Sequence, residues 1–440
     1  MQSRKFGNND SNITLNTDTK GVEFLNNIVV KKSLGLSGKV RISGAKNAAL
    51  PILAATLLCE GTSKIDEVPN LDDIQILCRL MECLGASVTH FGDCVTVQAE
   101  SLKNHIAPYE LVRKMRASFL VMGPLLARVG KTRISLPGGC PIGTRPVDLH
   151  LKGFAAMGAD IHTGHGYVEA KAEKLRGAKV YLDFPSVGAT ENIMMAACLA
   201  DGITTIENAA TEPEIVDLAN FLIGAGADVK GAGTDTIRIC GVKKLRGTNH
   251  SVIPDRIEAG TFMIATAITH GDVCIDNVVP NHLKPLTAKL REMGVAIDEG
   301  EDIIHVNGTA KLKSADIKTL PFPGFPTDMQ APITTLMSVT DGTSLIVETI
   351  FENRFLHAAE LNRMGANIKI DGRTAVVDGI KSLTGAQVKA TDLRAGAALI
   401  LAGLVAKGDT EIGDIGHIDR GYCDIVSKFR GIGAKVERKE

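Results

Sequence analysis

Tryptophan is absent from this chain and aromatic residues make up only 4% of it, so stacking platforms for single-stranded nucleic acid are poorly supplied. Charge of one sign is also missing: 49 basic side chains face 50 acidic ones, for a net charge of -1. No global field attracts nucleic acid or an anionic membrane, and any anion binding has to come from local clustering. Long apolar runs are lacking too. The longest, Ala395 to Ala406, is about half of what a bilayer span needs, so no membrane insertion is expected. The opening MQSRKFGNNDSNITLNTDTKG lacks the apolar core of a secretory signal and reads as a loose tail over residues 1–23. Nine cysteines are an odd count without the close pairs of a zinc site. Cys59 and Cys198 sit in apolar stretches, as reduced thiols packing like small hydrophobes do. A reducing cytoplasm is the expected setting, and no motif calls for a metal or organic cofactor.

What is present first is length. A chain of 440 residues is too long for one ordinary core, so two large domains are expected. An internal repeat then divides it. A helix-like run ends in a polar-glycine turn followed by a strand at Gly61, Gly130, Gly202, Gly271, Gly342 and Gly408. A second helix ends at Gly85, Gly158, Gly226, Gly294, Gly365 and Gly433, again before a strand. Both series recur about every seventy residues, and the gap between them stays at 23 to 28. Each glycine is expected at the left-handed position that ends a helix. The unit is an α+β module of two helices and about four strands, giving six modules, three per domain. The segment before the first module, FLNNIVVKKSLGLSGKVRIS, is strand-like. It either pairs with the end of the chain or folds back as a local hairpin.

Each first helix begins with polar residues: Lys46-Asn47, Arg116 with Ser118, Ser186, Asp255-Arg256, Thr327-Asp328, and Asp392 with Arg394. Capping accounts for Ser186, Asp255, Asp328 and Asp392. It accounts badly for Lys46, Arg116, Arg256 and Arg394, because cations are disfavoured beside the positive end of a helix dipole. An anionic ligand in front of those helix ends would explain them. A second cluster is LPGGCPIGTRPVD, residues 136–148, whose glycines and prolines make it an exposed loop. Cys140 lies in its middle with Arg145 five residues on. A loop thiol near guanidinium groups is expected to be reactive or competent in acid-base work, although loop cysteines are often bystanders.

At these residues a family resemblance emerges. SGAKNAALPILAA, MRAS, LPGGCPIGTRPVDLH, SVGATENIMMAA, EPEIVD, IPDRIEAGTF, FPTDMQAP, FENRF, ATDLRAG and HIDRGY resemble the UDP-N-acetylglucosamine 1-carboxyvinyltransferase family of peptidoglycan synthesis, from about residue 24 onward. The resemblance implies two inside-out α/β barrels of three repeats each: residues 46–253 as one domain, and 24–45 plus 254–440 as the other. It implies that Lys46 and Asn47 contact phosphoenolpyruvate, with Arg116, Arg145, Arg394 and Arg420 as further anion-binding residues. Arg145, Pro146, Val147, Asp148 and Leu149, with Ser186, Val187 and Gly188, match the uridine-diphosphate segments. Asp328 and Ile350 match positions that hold the sugar. Cys140 matches the proton donor that forms an adduct with phosphoenolpyruvate and is the target of fosfomycin. Phe184 departs from the pattern, since some members carry a lysine there.

Enol-ether formation needs an acid near C3 of phosphoenolpyruvate, a base near the sugar hydroxyl, and cations around carboxylate and phosphate. These roles fall to Cys140, to Asp328 as base or orienter, and to Lys46, Arg394 and Arg420. The partners expected are the two substrates alone, with a monomer as the default because closure within one chain completes the site. Two rivals remain at this level: the sister enzyme acting on shikimate 3-phosphate, and a non-catalytic paralogue that binds the nucleotide sugar.

Overall fold

A computed structural model describes residues 27–136, 142–143 and 146–439. Buried apolar side chains form two clusters. One runs from Ala45 to Val252; the other joins Ile28–Ile42 to residues 257–436. Inside the first cluster the helices Lys46–Thr56 and Val187–Ala197 meet the 3-10 turn Arg116–Val121 that leads into Met122–Val129. Inside the second, Arg256–Ile268, Gln330–Ser338 and Leu393–Val405 pack on one another. Away from their ends these helices are buried on nearly all sides, and every residue from Arg394 to Val405 is covered. All-round burial explains why they read as apolar runs without a polar stripe.

The sheets lie outside the helices. Among the described residues there are six sheets of three or four strands and one two-stranded ribbon. Their strands alternate buried and exposed, as in Asp272–Asp276 and Thr343–Val347, because one face meets the helices and the other meets water. The sheet containing Lys131–Ser135 has three strands rather than the expected four. Its missing neighbour shrinks to the single bridge Ile106–Arg133, just before Pro108, which has no N–H to offer a ladder.

Strand exchange closes each half. Asn249–Ser251, late in the first half, pairs in parallel with Thr62–Asp66 near its start. Ser37–Arg41, from the chain's beginning, pairs in parallel with Asp272–Asp276. Asn27–Lys31 inserts between Thr410–Gly413 and Lys435–Lys439, antiparallel to both. The early segment therefore joins the chain's end and is not a local hairpin.

Eleven of the twelve turn glycines have positive φ, as expected. Gly271 does not. There His270 takes the left-handed conformation at φ 54°, and a Cβ on Gly271 would sit 2.4 Å from the Leu36 carbonyl oxygen. Glycine is required at that position for close approach to the incoming strand rather than for its own torsion.

Candidate active site

Lys46 is the first residue of its helix, and the preceding Ala45 offers no side-chain cap. Its Nζ donates to Asp73 Oδ2 at 3.0 Å, and Arg420 Nε donates to Asp73 Oδ1 at 2.9 Å. One buried carboxylate thus holds a lysine of the first half and an arginine of the second. Burial pushes the Lys46 pKa below its ordinary value; Asp73 opposes this, while the fields of Arg394 and Arg420 add to it. Asn47 beside it is exposed.

Asp328 is not a helix cap. The turn Thr327–Met329 is preceded by Pro326 and has no side-chain cap. The carboxylate turns instead to two guanidinium groups, Arg354 at 2.7 Å and Arg394 at 2.9 Å. Burial alone would raise the Asp328 pKa, but Arg394 and Arg354 more than reverse it and hold the carboxyl well below the usual range. Arg354 NH1, Arg394 Nε and NH1, and the Gln330 amide are buried without a hydrogen-bond partner. Donors therefore exceed acceptors here, which suits an anionic ligand or ordered water. Nearby, Glu348 accepts from Thr319 Oγ1, Thr327 Oγ1 and the Ile350 and Phe351 N–H groups at 2.8–3.2 Å. This fixes the turn that carries Ile350.

The second region is built differently. The helices Asp148–Ala156 and Val187–Ala197 pack together. Their starts carry Pro146 to Leu149 on one side and Ser186 to Gly188 on the other. Ser186 caps its helix by accepting from the Ala189 N–H at 3.4 Å. His150 bonds Asn192 at 3.1 Å and meets the Phe119 ring edge-on. Burial, helped by the charge of Arg116, pushes the His150 pKa down to about 4, so its ring is neutral at physiological pH. Phe184 is about half exposed.

The predicted caps Asp255 and Asp392 are confirmed, each accepting from two backbone N–H groups. Arg256, another cation at a helix start, also has a carboxylate partner. It pairs with Glu214 at 3.0 Å and lies 5.7 Å from the Phe322 ring, binding the halves together. Cys140 and Arg145 lie outside the described residues. On the far flank of Cys140, the Ile142 carbonyl accepts from the Asn353 N–H at 3.1 Å. Among the described cysteines, burial pushes the Cys59 and Cys78 thiols up to about 11, which makes them inert. Asp73, Arg354 and Glu348 escaped the sequence reading. The double aspartate of LDDI and the second charge of FENRF were the available signals, but neither says where the side chain points.

Cations from both halves thus gather on two carboxylates, Asp73 and Asp328, an arrangement suited to an anionic ligand. The chain belongs to the enolpyruvyl transferase family, matching over residues 30–429 the description EPSP synthase (3-phosphoshikimate 1-carboxyvinyltransferase). Within that family it falls with the UDP-N-acetylglucosamine 1-carboxyvinyltransferases. It is 61% identical over 411 residues to UDP-N-acetylglucosamine 1-carboxyvinyltransferase 1 of Caldanaerobacter subterraneus subsp. tengcongensis, covering 93% of this chain and 99% of the relative. It is also 61% identical to UDP-N-acetylglucosamine 1-carboxyvinyltransferase 2 of Carboxydothermus hydrogenoformans, covering 93% and 98%. The enolpyruvyl transferase NikO from Streptomyces tendae superposes with a TM-score of 0.85 at 26% identity, covering 94% of this chain and 99% of that one. EPSP synthase from Acinetobacter baumannii, with a TM-score of 0.75 at 20% identity over 94% of this chain and 100% of its own, shares the fold.

Proposed function

We propose that this chain transfers the enolpyruvyl group of phosphoenolpyruvate to the 3-hydroxyl of UDP-N-acetylglucosamine, releasing phosphate, as a cytoplasmic monomer serving peptidoglycan synthesis. The observation that carries this reading is the 61% identity to relatives of that name over nearly their full length. The geometry supports it: Lys46, Arg394 and Arg420 offer cations for phosphate and carboxylate, and paired helix starts suit a diphosphate. The two buried clusters support a division into two domains, 46–253 and 24–45 plus 254–440, that would close on the substrates. Among the described residues no helix is long and apolar enough to cross a membrane.

In this mechanism the Cys140 thiol protonates C3 of phosphoenolpyruvate, and the sugar O3 attacks C2 as Asp328 receives the hydroxyl proton. The Cys140 thiolate then takes a proton back from C3, the C2–C3 double bond re-forms, and the bond from C2 to the phosphate oxygen breaks to release phosphate. Asp328, held by two guanidinium groups, is a weak base in the unliganded protein. A substrate carboxylate that draws Arg394 away would free one of its oxygens and strengthen it. Phosphate release from phosphoenolpyruvate is the test. Release with UDP-N-acetylglucosamine, blocked by fosfomycin, is expected; release with shikimate 3-phosphate instead would overturn the acceptor, and nucleotide-sugar binding without release would overturn catalysis.

A further inference from the structure

Two strands of chain cross between the halves, and each is gripped by a buried carboxylate. At the first crossing the Ser43 N–H donates to Glu258 Oε2 at 3.1 Å. At the second the Ile253 N–H donates to Asp217 Oδ2 at 3.1 Å. Each carboxylate has a basic partner. Lys428 donates to Glu258 Oε1 and, at 2.6 Å, to Ser43 Oγ; His250 Nε2 lies 2.9 Å from Asp217 Oδ1. Glu258 and Asp217 are 2% and 3% exposed, so neither is a surface pair that salt would screen away.

Between the grips the crossings pair with each other. The Ala45 N–H donates to the Ile253 carbonyl at 2.7 Å, and the Asp255 N–H to the Ser43 carbonyl at 2.8 Å. Gly44 bridges Pro254, and a Cβ on Gly44 would fall 1.7 Å from the Glu67 carbonyl oxygen. Lys46 follows directly, in a helix whose start has no side-chain cap. Its place is therefore set from behind, by the crossing. Glu258 and Lys428 belong to the same half as Arg420, and Lys428 lies on the helix Ile425–Gly431, a few residues beyond it.

We propose that Glu258 and Lys428 are positioning residues for Lys46: by gripping the Ser43 amide and hydroxyl they set Lys46 in register with Arg420 across the site, although neither touches it. This builds on the proposed function, since it assigns the register to phosphoenolpyruvate binding. Asp217 and His250 hold the return strand to the other half, so each crossing is fixed by the half it leaves.

The test uses the full chain and two readouts. Acetylation by a small N-hydroxysuccinimide ester, followed by mass spectrometry, reports how well each lysine is enclosed. In Glu258→Gln and in Lys428→Met, labelling of Lys46 is expected to rise about fivefold while partly buried Lys289 stays unchanged. The KM for phosphoenolpyruvate is expected to rise about tenfold, with UDP-N-acetylglucosamine affinity preserved. Lys428→Arg should restore both. Should Glu258→Gln fail to fold, Ser43→Ala, which removes only the hydroxyl contact, gives the same readout at smaller amplitude. Unchanged Lys46 labelling, or a rise shared by Lys289, overturns the proposal. Labelling decides this even if the wild-type chain releases no phosphate, an outcome that would instead sink the functional reading.

Discussion

The two candidate ligand-facing regions are built in opposite ways. Around Asp73 and Asp328 every cation already has a carboxylate: Lys46 and Arg420 share one, Arg354 and Arg394 the other. Around His150 the described groups include a hydroxyl cap, an uncharged imidazole and the starts of two helices, with Asp148 and Arg116 as the charges beside them. At the first region a ligand meets ion pairs that join the halves, beside the unpartnered N–H groups of Arg354 and Arg394. At the second it meets fixed dipoles and asks for little rearrangement.

The contrast breaks first if chemistry does not depend on the loop. Cys140→Ala is expected to lower kcat about a thousandfold, the scale of a lost general acid, while calorimetric affinity for UDP-N-acetylglucosamine stays intact. Cys140→Asp should recover part of the rate. Next comes Asp328→Asn, which leaves two buried guanidinium groups with a weaker partner; urea titration should show a loss of about 3 kcal/mol, alongside the loss of turnover.

Asp73→Asn is smaller, a tenfold or so rise in KM for phosphoenolpyruvate, because it loosens Lys46 and Arg420 without removing either. The pH dependence has a definite sign. The Lys46 pKa lies below 10.5, so its positive charge is lost at lower pH than for an ordinary lysine. Phosphoenolpyruvate affinity should decline as pH rises through that lowered value, and Lys46→Arg should move the decline upward. The least effect belongs to the region around His150. Since His150 stays uncharged down to about 4, it should add no step to nucleotide-sugar affinity between about pH 5 and 8. A step there that disappears in His150→Gln would erase the contrast.

Much of this was legible in sequence because it is written in local chemistry. The glycine series marked helix ends, and Ser186, Asp255 and Asp392 marked helix starts, since a cap acts within three residues of itself. Asp328 misled for the same reason: the residue type fits a cap, but its partners lie 26 and 66 positions away. Arg256 has the same kind of carboxylate partner as Lys46 and Arg394, but its Glu214 lies 42 positions away in sequence. Asp73 and Arg354 had only the faint signals of a double aspartate and a second charge, and Glu348 and Glu258 had none, because their roles exist only once distant segments meet. The strand-like opening pointed to the chain's end for a simpler reason: an apolar strand needs neighbours on both sides.

That last feature has a cost in time. Ile28 and Val30 are fully buried between strands that begin at Thr410 and Lys435. At ribosomal rates of about 5–20 residues per second, these early residues wait roughly 20–80 s for their partners. Throughout that interval an apolar strand stands unpaired on the nascent chain, with Lys31 and Lys32 among the nearby charges that discourage association. The first half, which supplies its own closing strand, can fold meanwhile. The second is sealed only when the last strand returns to the first.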